Sequence, residues 1–271
     1  MTNSNMEVTV RTFDHFTTSP EPEISDVKIY SWVDDTDKPT ILFVPSSATI
    51  YAMYSDKLGL VKKLNRFEPY MQLCSDLSEH FNVHLISLSG QTDPKENKEP
   101  KHLFNYFQAV KDVKVAVKYI ESKFDKIVGA MGFCAGGMEL VTTFTDLYRE
   151  DTPLLFWNAP ARVFWIKDYE FFERFFPNLK MDEKLVKSSP EPHTVVPNYK
   201  GSILYAYSTN NTLYGVDNIS EVKELILQKN KKASAISFNN IGDVPMEIQS
   251  ESEYNRFIQT IRGWFYKSGS V

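Results

Sequence analysis

A chain of 271 residues fits one α/β domain with at most a modest insertion, and is long enough to bury a large core. Hydrophobic residues make up 42% and aromatic residues 14%, which excludes a disordered chain and suits a globular protein with an aromatic-lined pocket. A net charge of -5, with the basic residues scattered along the chain, excludes the electrostatic footprint of a nucleic-acid binder.

Met1 to Val10 lacks a basic stretch followed by an apolar one, and no apolar run reaches the length of a membrane span, so a soluble, cytoplasmic protein is expected. Glu7 to Phe13 and Val27 to Val33 alternate polar and apolar residues on either side of a turn at Pro20 and Pro22, predicting an antiparallel pair of strands. Thr40 to Val44 is almost wholly apolar, as in a strand buried on both faces of a mostly parallel sheet, and runs into Pro45-Ser46-Ser47-Ala48. Phe67 to Phe81 is amphipathic. Within it Cys74 keeps helical spacing with Met71, Leu77 and Phe81 and reads as a small core residue. Val83 to Leu88 is the next strand, followed by Ser89-Gly90-Gln91 and a polar loop from Thr92 to Lys101.

Leu103, Phe107, Val110, Val113, Val117 and Ile120 recur at helical spacing and lead into a strand from Ile127 to Met131. A glycine-rich turn and a helix from Met138 to Tyr148 follow, then a buried strand from Leu154 to Trp157. Between Pro160 and Lys200 lies a long excursion crowded with aromatic residues, Trp165 and Phe172 among them, with a short helix expected over Met181 to Lys187. Ile203 to Tyr207 and Ala235 to Phe238 are the last parallel strands, separated by a helix from about Ser220 to Lys229. The final helix carries Tyr254, Phe257, Ile261 and Phe265 on one face, with Ser250 and Glu253 spaced as a capping box. Strand, helix, strand, tight turn, helix is the doubly wound order.

The turn reads Gly132-Phe133-Cys134-Ala135-Gly136-Gly137, a G-x-C-x-G pattern with one further glycine. A residue at the tip of so sharp a turn has a strained backbone, and its neighbours two residues either side approach each other closely, which favours glycine there. The strain presents Cys134 above the sheet; the Ala135 N–H can then face an oxyanion, and the helix start adds partial positive charge. The competing reading is a turn that only packs a helix closely, with Cys134 inert.

Through this hexapeptide and the element order, roughly residues 25 to 267 resemble the α/β-hydrolase superfamily, with cysteine in the place of the usual serine. Dienelactone hydrolases and polyhydroxyalkanoate synthases have a similar box. The resemblance implies a single α/β-hydrolase domain over 1–271, with a mostly parallel, doubly wound sheet flanked by helices and a small aromatic cap inserted at 160–200. It places the second oxyanion donor on the backbone at Ser46 and Ser47, where the family usually has a His-Gly pair. Phe133, Trp165 and Phe172 then line a substrate pocket, although aromatic rings in the insertion suit docking onto the body equally well.

Nucleophilic catalysis also needs a base for the thiol and a group that orients the base. In the family, the acid follows the strand that here ends at Ser208 and the histidine follows the last strand. Matching those patterns puts Asn211 at the acid position and Asp243 at the histidine position, and no histidine follows His193. A carboxylate of ordinary pKa near 3.9 would deprotonate a thiol near 8.5 uphill by roughly 6 kcal/mol. His102, between the loop after the fourth strand and the next helix, lies on the sheet edge where the turn opens and is the candidate replacement base. His193 is a weaker candidate; His15, His80 and His84 read as structural or exposed. Asp217 is a spare carboxylate or a helix-capping residue.

Two functions from different classes fit. One is an acyl-transfer enzyme, whether thioesterase, esterase, acyltransferase or cyclase, acting on a small ester or thioester, free or carrier-bound. The other is a catalytically silent hydrolase relative that binds a ligand or a partner, since losing the acid and the histidine together is what drift after loss of catalysis produces. A lyase or isomerase using only the oxyanion hole also fits the scaffold. No metal-ligand spacing or dinucleotide fingerprint points to a cofactor, and oligomeric state is not encoded in any recognisable pattern.

Overall fold

The computed structural model describes residues 6–13, 24–33, 37–45, 67–88, 106–134, 136–159, 190, 192–209, 216–239 and 250–268. In chain order the elements are β1 (Met6–Phe13), β2 (Ile24–Trp32), β3 (Thr40–Val44), α1 (Phe67–Leu77), β4 (Asn82–Ser87), α2 (Tyr106–Lys123), β5 (Ile127–Phe133), α3 (Gly136–Asp146), β6 (Leu154–Trp157), α4 (Pro192–Val195), β7 (Ile203–Ser208), α5 (Val216–Lys229), β8 (Ala233–Phe238) and α6 (Glu251–Ser268). A 3-10 turn, Val196–Asn198, continues α4. The strands form one sheet in the order β1-β2-β4-β3-β5-β6-β7-β8. β1 and β2 are antiparallel, as are β2 and β4; every pairing from β4 to β8 is parallel.

Side-chain parity divides the core in two. Leu42, Val44, Ala130, Phe156 and Tyr205 face a layer made by α2, α3, α4 and α5. Ile41, Phe43, Met131, Trp157 and Ala206 face the opposite layer, α1 and α6. Because both faces are covered, β3 and β6 have no solvent side, which is why each reads as an unbroken apolar run. The edge strand β8 is only half-buried over most of its length. It starts at Ala233, two residues before the expected limit, because its first residues lack the apolar signal of a two-sided strand.

The capping box expected at Ser250 and Glu253 does not form. Ser250 Oγ lies 2.8 Å from Ser252 Oγ, and the Glu253 carboxylate accepts the Asn239 N–H at 3.3 Å and the Arg256 guanidinium at 3.1 Å. The end of β8 thus competes successfully for the carboxylate, and Arg256, which lies 4.2 Å over the Phe238 ring and donates to Ser237 O, fixes it there.

Two buried titratable groups match their structural readings. Cys74 is fully buried, and burial, followed by Asp76, pushes its thiol well above the usual range. His84 is also fully buried, with Nδ1 2.8 Å from Ser31 Oγ on the neighbouring strand, and burial lowers its pKa to about 4. Of the stretch expected as a cap, 190 and 192–200 are described. Val196 and Tyr199 are buried in the body, and Asn230 Nδ2 donates to Tyr199 O at 3.0 Å and to Gly201 O at 2.9 Å. The rest of that stretch, with the helix expected over Met181 to Lys187, lies outside the described residues. Among the described residues no helix is long and apolar enough to cross a membrane, and no group of His, Cys, Asp and Glu is arranged to hold a metal ion.

Candidate functional site

The turn between β5 and α3 has the geometry that its glycines require. Cys134 has φ 54, the left-handed region that a side chain rarely adopts, and is partly exposed. Its N–H donates to Trp157 O at 2.9 Å, which ties the turn to the end of β6, and its carbonyl accepts the Gly137 N–H at 3.2 Å. A Cβ on Gly132 would lie 2.5 Å from the carbonyl oxygen of Gly136 and from the nitrogen of Gly137. One on Gly136 would lie 2.6 Å from Val44 O. Glycine is needed at both because backbone meets backbone, so the spacing inferred from sequence has its mechanical cause. Burial, reinforced by Tyr207 and then Cys134, raises the phenol pKa of Tyr205 on β7, which places that ring in the electrostatic field of the thiol.

Phe133, expected to line a substrate pocket, is instead a core residue. It is 1% exposed and packs between Phe43 at 4.6 Å, Tyr70 at 5.7 Å and Trp157 at 6.5 Å between ring centroids. Strand alternation explains this, since Phe133 points opposite to the residue that turns away from the sheet after it. His193 lies exposed on α4, and Asp217 is an exposed residue in the first turn of α5. Ser46, Ser47, His102, Ala135, Trp165, Phe172, Asn211 and Asp243 lie outside the described residues.

Two polar residues beside the turn escaped the sequence reading. Glu139, in the first turn of α3, is fully buried, and neither of its carboxyl oxygens has a hydrogen-bond partner among the described residues. Burial first, and Asp112 on α2 second, push its pKa well above the ordinary carboxylate range; Gln108 Nε2 donates to that aspartate at 2.7 Å. The proton that Glu139 keeps in the fold is lost near pH 4.3 in the unfolded chain. Its contribution to stability is therefore complete below that value and is lost as pH rises towards the folded pKa. Glu139→Gln is expected to gain on the parent chain between pH 5 and 8, by at most about 1.4 kcal/mol per pH unit, in denaturant midpoints measured at both ends. A difference that stays constant across that range would contradict the protonated assignment.

The second is Asn158, just past β6. It is 1% exposed and has φ 46, and its Oδ1 accepts the N–H of buried Ser208 at 2.9 Å. A buried N–H left without an acceptor costs about 1–3 kcal/mol. Asn tolerates left-handed backbone better than most residues, and an asparagine directly after an apolar strand is the only sequence signal of its role. Next to it, Tyr205 Oη donates to Ala159 O at 2.9 Å.

The sheet order, the two helical layers and the strained residue on the turn after β5 define an α/β-hydrolase fold. No family model and no curated protein matches the sequence, so the comparisons that succeed are structural. A chain from Klebsiella pneumoniae described as a dienelactone hydrolase is 14% identical with a TM-score of 0.58, covering 96% of this chain and 99% of that one. DcsB, solved in complex with its substrate analogue, is 10% identical with a TM-score of 0.65, covering 97% and 100%. The esterase Pf2001 of Pyrococcus furiosus is 13% identical with a TM-score of 0.59, covering 97% and 94%. At these identities the likeness is one of fold.

Proposed function

We propose that the protein is an acyl-transfer enzyme with Cys134 as its nucleophile. The observation that carries this is the left-handed Cys134, held between the end of β6 and the start of α3 on glycines that admit no side chain. Strained backbone on a non-glycine residue persists only where its surroundings over-determine it, and such residues cluster at sites of chemistry.

The thiolate sulfur attacks the carbonyl carbon of an ester or thioester, and the carbonyl π pair moves to oxygen. Backbone N–H groups hold that oxyanion, Ala135 and the Ser46–Ser47 stretch being the donors expected from sequence. The pair returns, the alkoxide or thiolate leaves with a proton, and acyl-Cys134 remains. Water or a second hydroxyl or thiol then takes the acyl group, giving hydrolysis, transfer or, from the same chain, cyclisation. A thioester suits this site best, because thiol-to-thiol exchange asks less of a base than ester cleavage does. No histidine follows His193, so His102 or an Asp243 of raised pKa is the base the reading requires. That same absence favours the rival reading, a silent relative that binds a ligand, and the reactivity of the thiol separates the two.

The test is the pH dependence of Cys134 alkylation by iodoacetamide, with Cys134→Ala as the blank for Cys74. A thiol pKa well below about 8.5 is expected, returning towards that value in His102→Ala. A depressed value indifferent to His102 points to Asp243 or to a group in the 160–200 stretch and keeps the enzyme reading. A slow, unshifted thiol overturns the enzyme reading in favour of the binding protein.

A further inference from the structure

In a regular parallel pair, every second residue of one strand donates its N–H to one residue across and accepts at its carbonyl from the residue two further on. β6 and β7 follow this rule: Leu154 N–H bonds Ser202 O at 2.9 Å and Asn158 N–H bonds Ala206 O at 3.0 Å. The next acceptor in the ladder should be the main-chain carbonyl of residue 158, and the next donor the N–H of Ser208. Ser208 does donate, at 2.9 Å, but to the Oδ1 of the Asn158 side chain. With φ 46 the backbone of Asn158 has turned left-handed, and its side-chain carbonyl occupies the ladder position.

Trp157, the residue before, accepts the Cys134 N–H, so two left-handed non-glycine residues stand on adjacent strand ends, joined through one peptide unit. The chain leaves the sheet beside the nucleophile while β7 keeps its register through Ser208. Thr209 N–H then bonds Phe238 O at 3.0 Å, and Thr209 Oγ1 lies 2.8 Å from Asn239 Oδ1, carrying the same register to the end of β8.

We propose that Asn158 is a positioning residue, whose side-chain carbonyl extends the β6–β7 ladder by one bond and so fixes the end of β7 relative to Cys134. The inference rests on the reading of Cys134 as nucleophile. Asparagine meets both demands: a short side chain with an acceptor in reach, and tolerance of left-handed backbone. Glycine meets only the second.

Asn158→Gly and Asn158→Asp separate the acceptor from the backbone conformation. With p-nitrophenyl butyrate and an N-acetylcysteamine thioester as probes, Asn158→Gly is expected to lose about 100-fold in kcat, with KM within about threefold of the parent, as a displacement of about 1 Å near the chemistry does. Asn158→Asp keeps an acceptor and should recover at least about tenfold of that loss. An unchanged kcat in Asn158→Gly overturns the inference, and so does a loss that Asn158→Asp shares in full. Cys134→Ala, run alongside, reports on the nucleophile separately. If the parent turns over neither probe, the reading of function fails and Asn158 is judged on alkylation alone. A rate of iodoacetamide attack on Cys134 altered about threefold or more in Asn158→Gly upholds its positioning role, and an unaltered rate overturns it.

Discussion

Cys134→Ala is expected to lower turnover of an activated ester or thioester by about four orders of magnitude, and Cys134→Ser by nearly as much. On the proposed mechanism, the first loss follows from removing the atom that forms the acyl bond. The second is specific to this chain. A serine on such a turn works through a histidine that takes its proton, and no histidine follows His193 in the sequence. A thiol near pKa 8.5 is a few per cent thiolate at neutral pH without help, whereas a hydroxyl has no comparable population. A serine variant as active as the parent would show that the base at residue 134 serves a hydroxyl as well as a thiol, and would contradict the assignment of a thiol-dependent site. Initial rates of all three forms at pH 7 and 9 make the comparison.

The second large effect concerns Gly132. A methyl group there would meet the Gly136 carbonyl and the Gly137 nitrogen at 2.5 Å, and the three nearest atoms are all backbone, so no rotamer relieves the clash. Overpacking ordinarily costs about 1–3 kcal/mol and here should reach the upper end or beyond. Gly132→Ala is expected to lower Tm by roughly 6–12 °C, at about 2–4 °C per kcal/mol for a chain of this size. It should also remove most turnover, because relief of the clash moves α3 away from Cys134. The control is Gly263 on α6, where an added Cβ finds nothing within 4 Å. Gly263→Ala is expected to stabilise by about 0.5–1 kcal/mol through helix propensity alone. Equal responses at the two glycines in calorimetry would refute the packing argument.

Much of the scaffold was legible because burial on two faces writes itself into composition. Thr40 to Val44 and Leu154 to Trp157 are strands with the limits that their apolar runs imply. The turn at Cys134 was legible for a steric reason, since only glycine permits the approach of β5 to α3. Signals that depend on a partner far along the chain were less clear. Glu253 has the spacing of a cap, but Asn239 and Arg256 claim its carboxylate. Glu139 looks like a solvent-facing residue, yet it stands in a stretch of α3 where residues 136 to 141 are all buried. Phe133 falls in the core because alternation along β5 outweighs its closeness to Cys134 in sequence. Asn158 acts through a side-chain oxygen replacing a main-chain one, which no spacing reports. The candidates for base, acid and second oxyanion donor come after strand ends in the sequence, at positions where residue identity departs from the pattern of the α/β-hydrolases, and they lie outside the described residues.

The position of β3 between β4 and β5 shapes how the chain is made. Ile41 pairs with Gly129, about 90 residues later. At a synthesis rate of about 5–20 residues per second, that flank of β3 waits on the order of ten seconds for its partner to be made. During that interval Thr-Ile-Leu-Phe-Val, uncharged and rich in β-formers, is the kind of segment that pairs with copies of itself. Yield of folded protein in a cell should therefore be governed by chaperone supply and translation pace while the middle third of the chain is still on the ribosome.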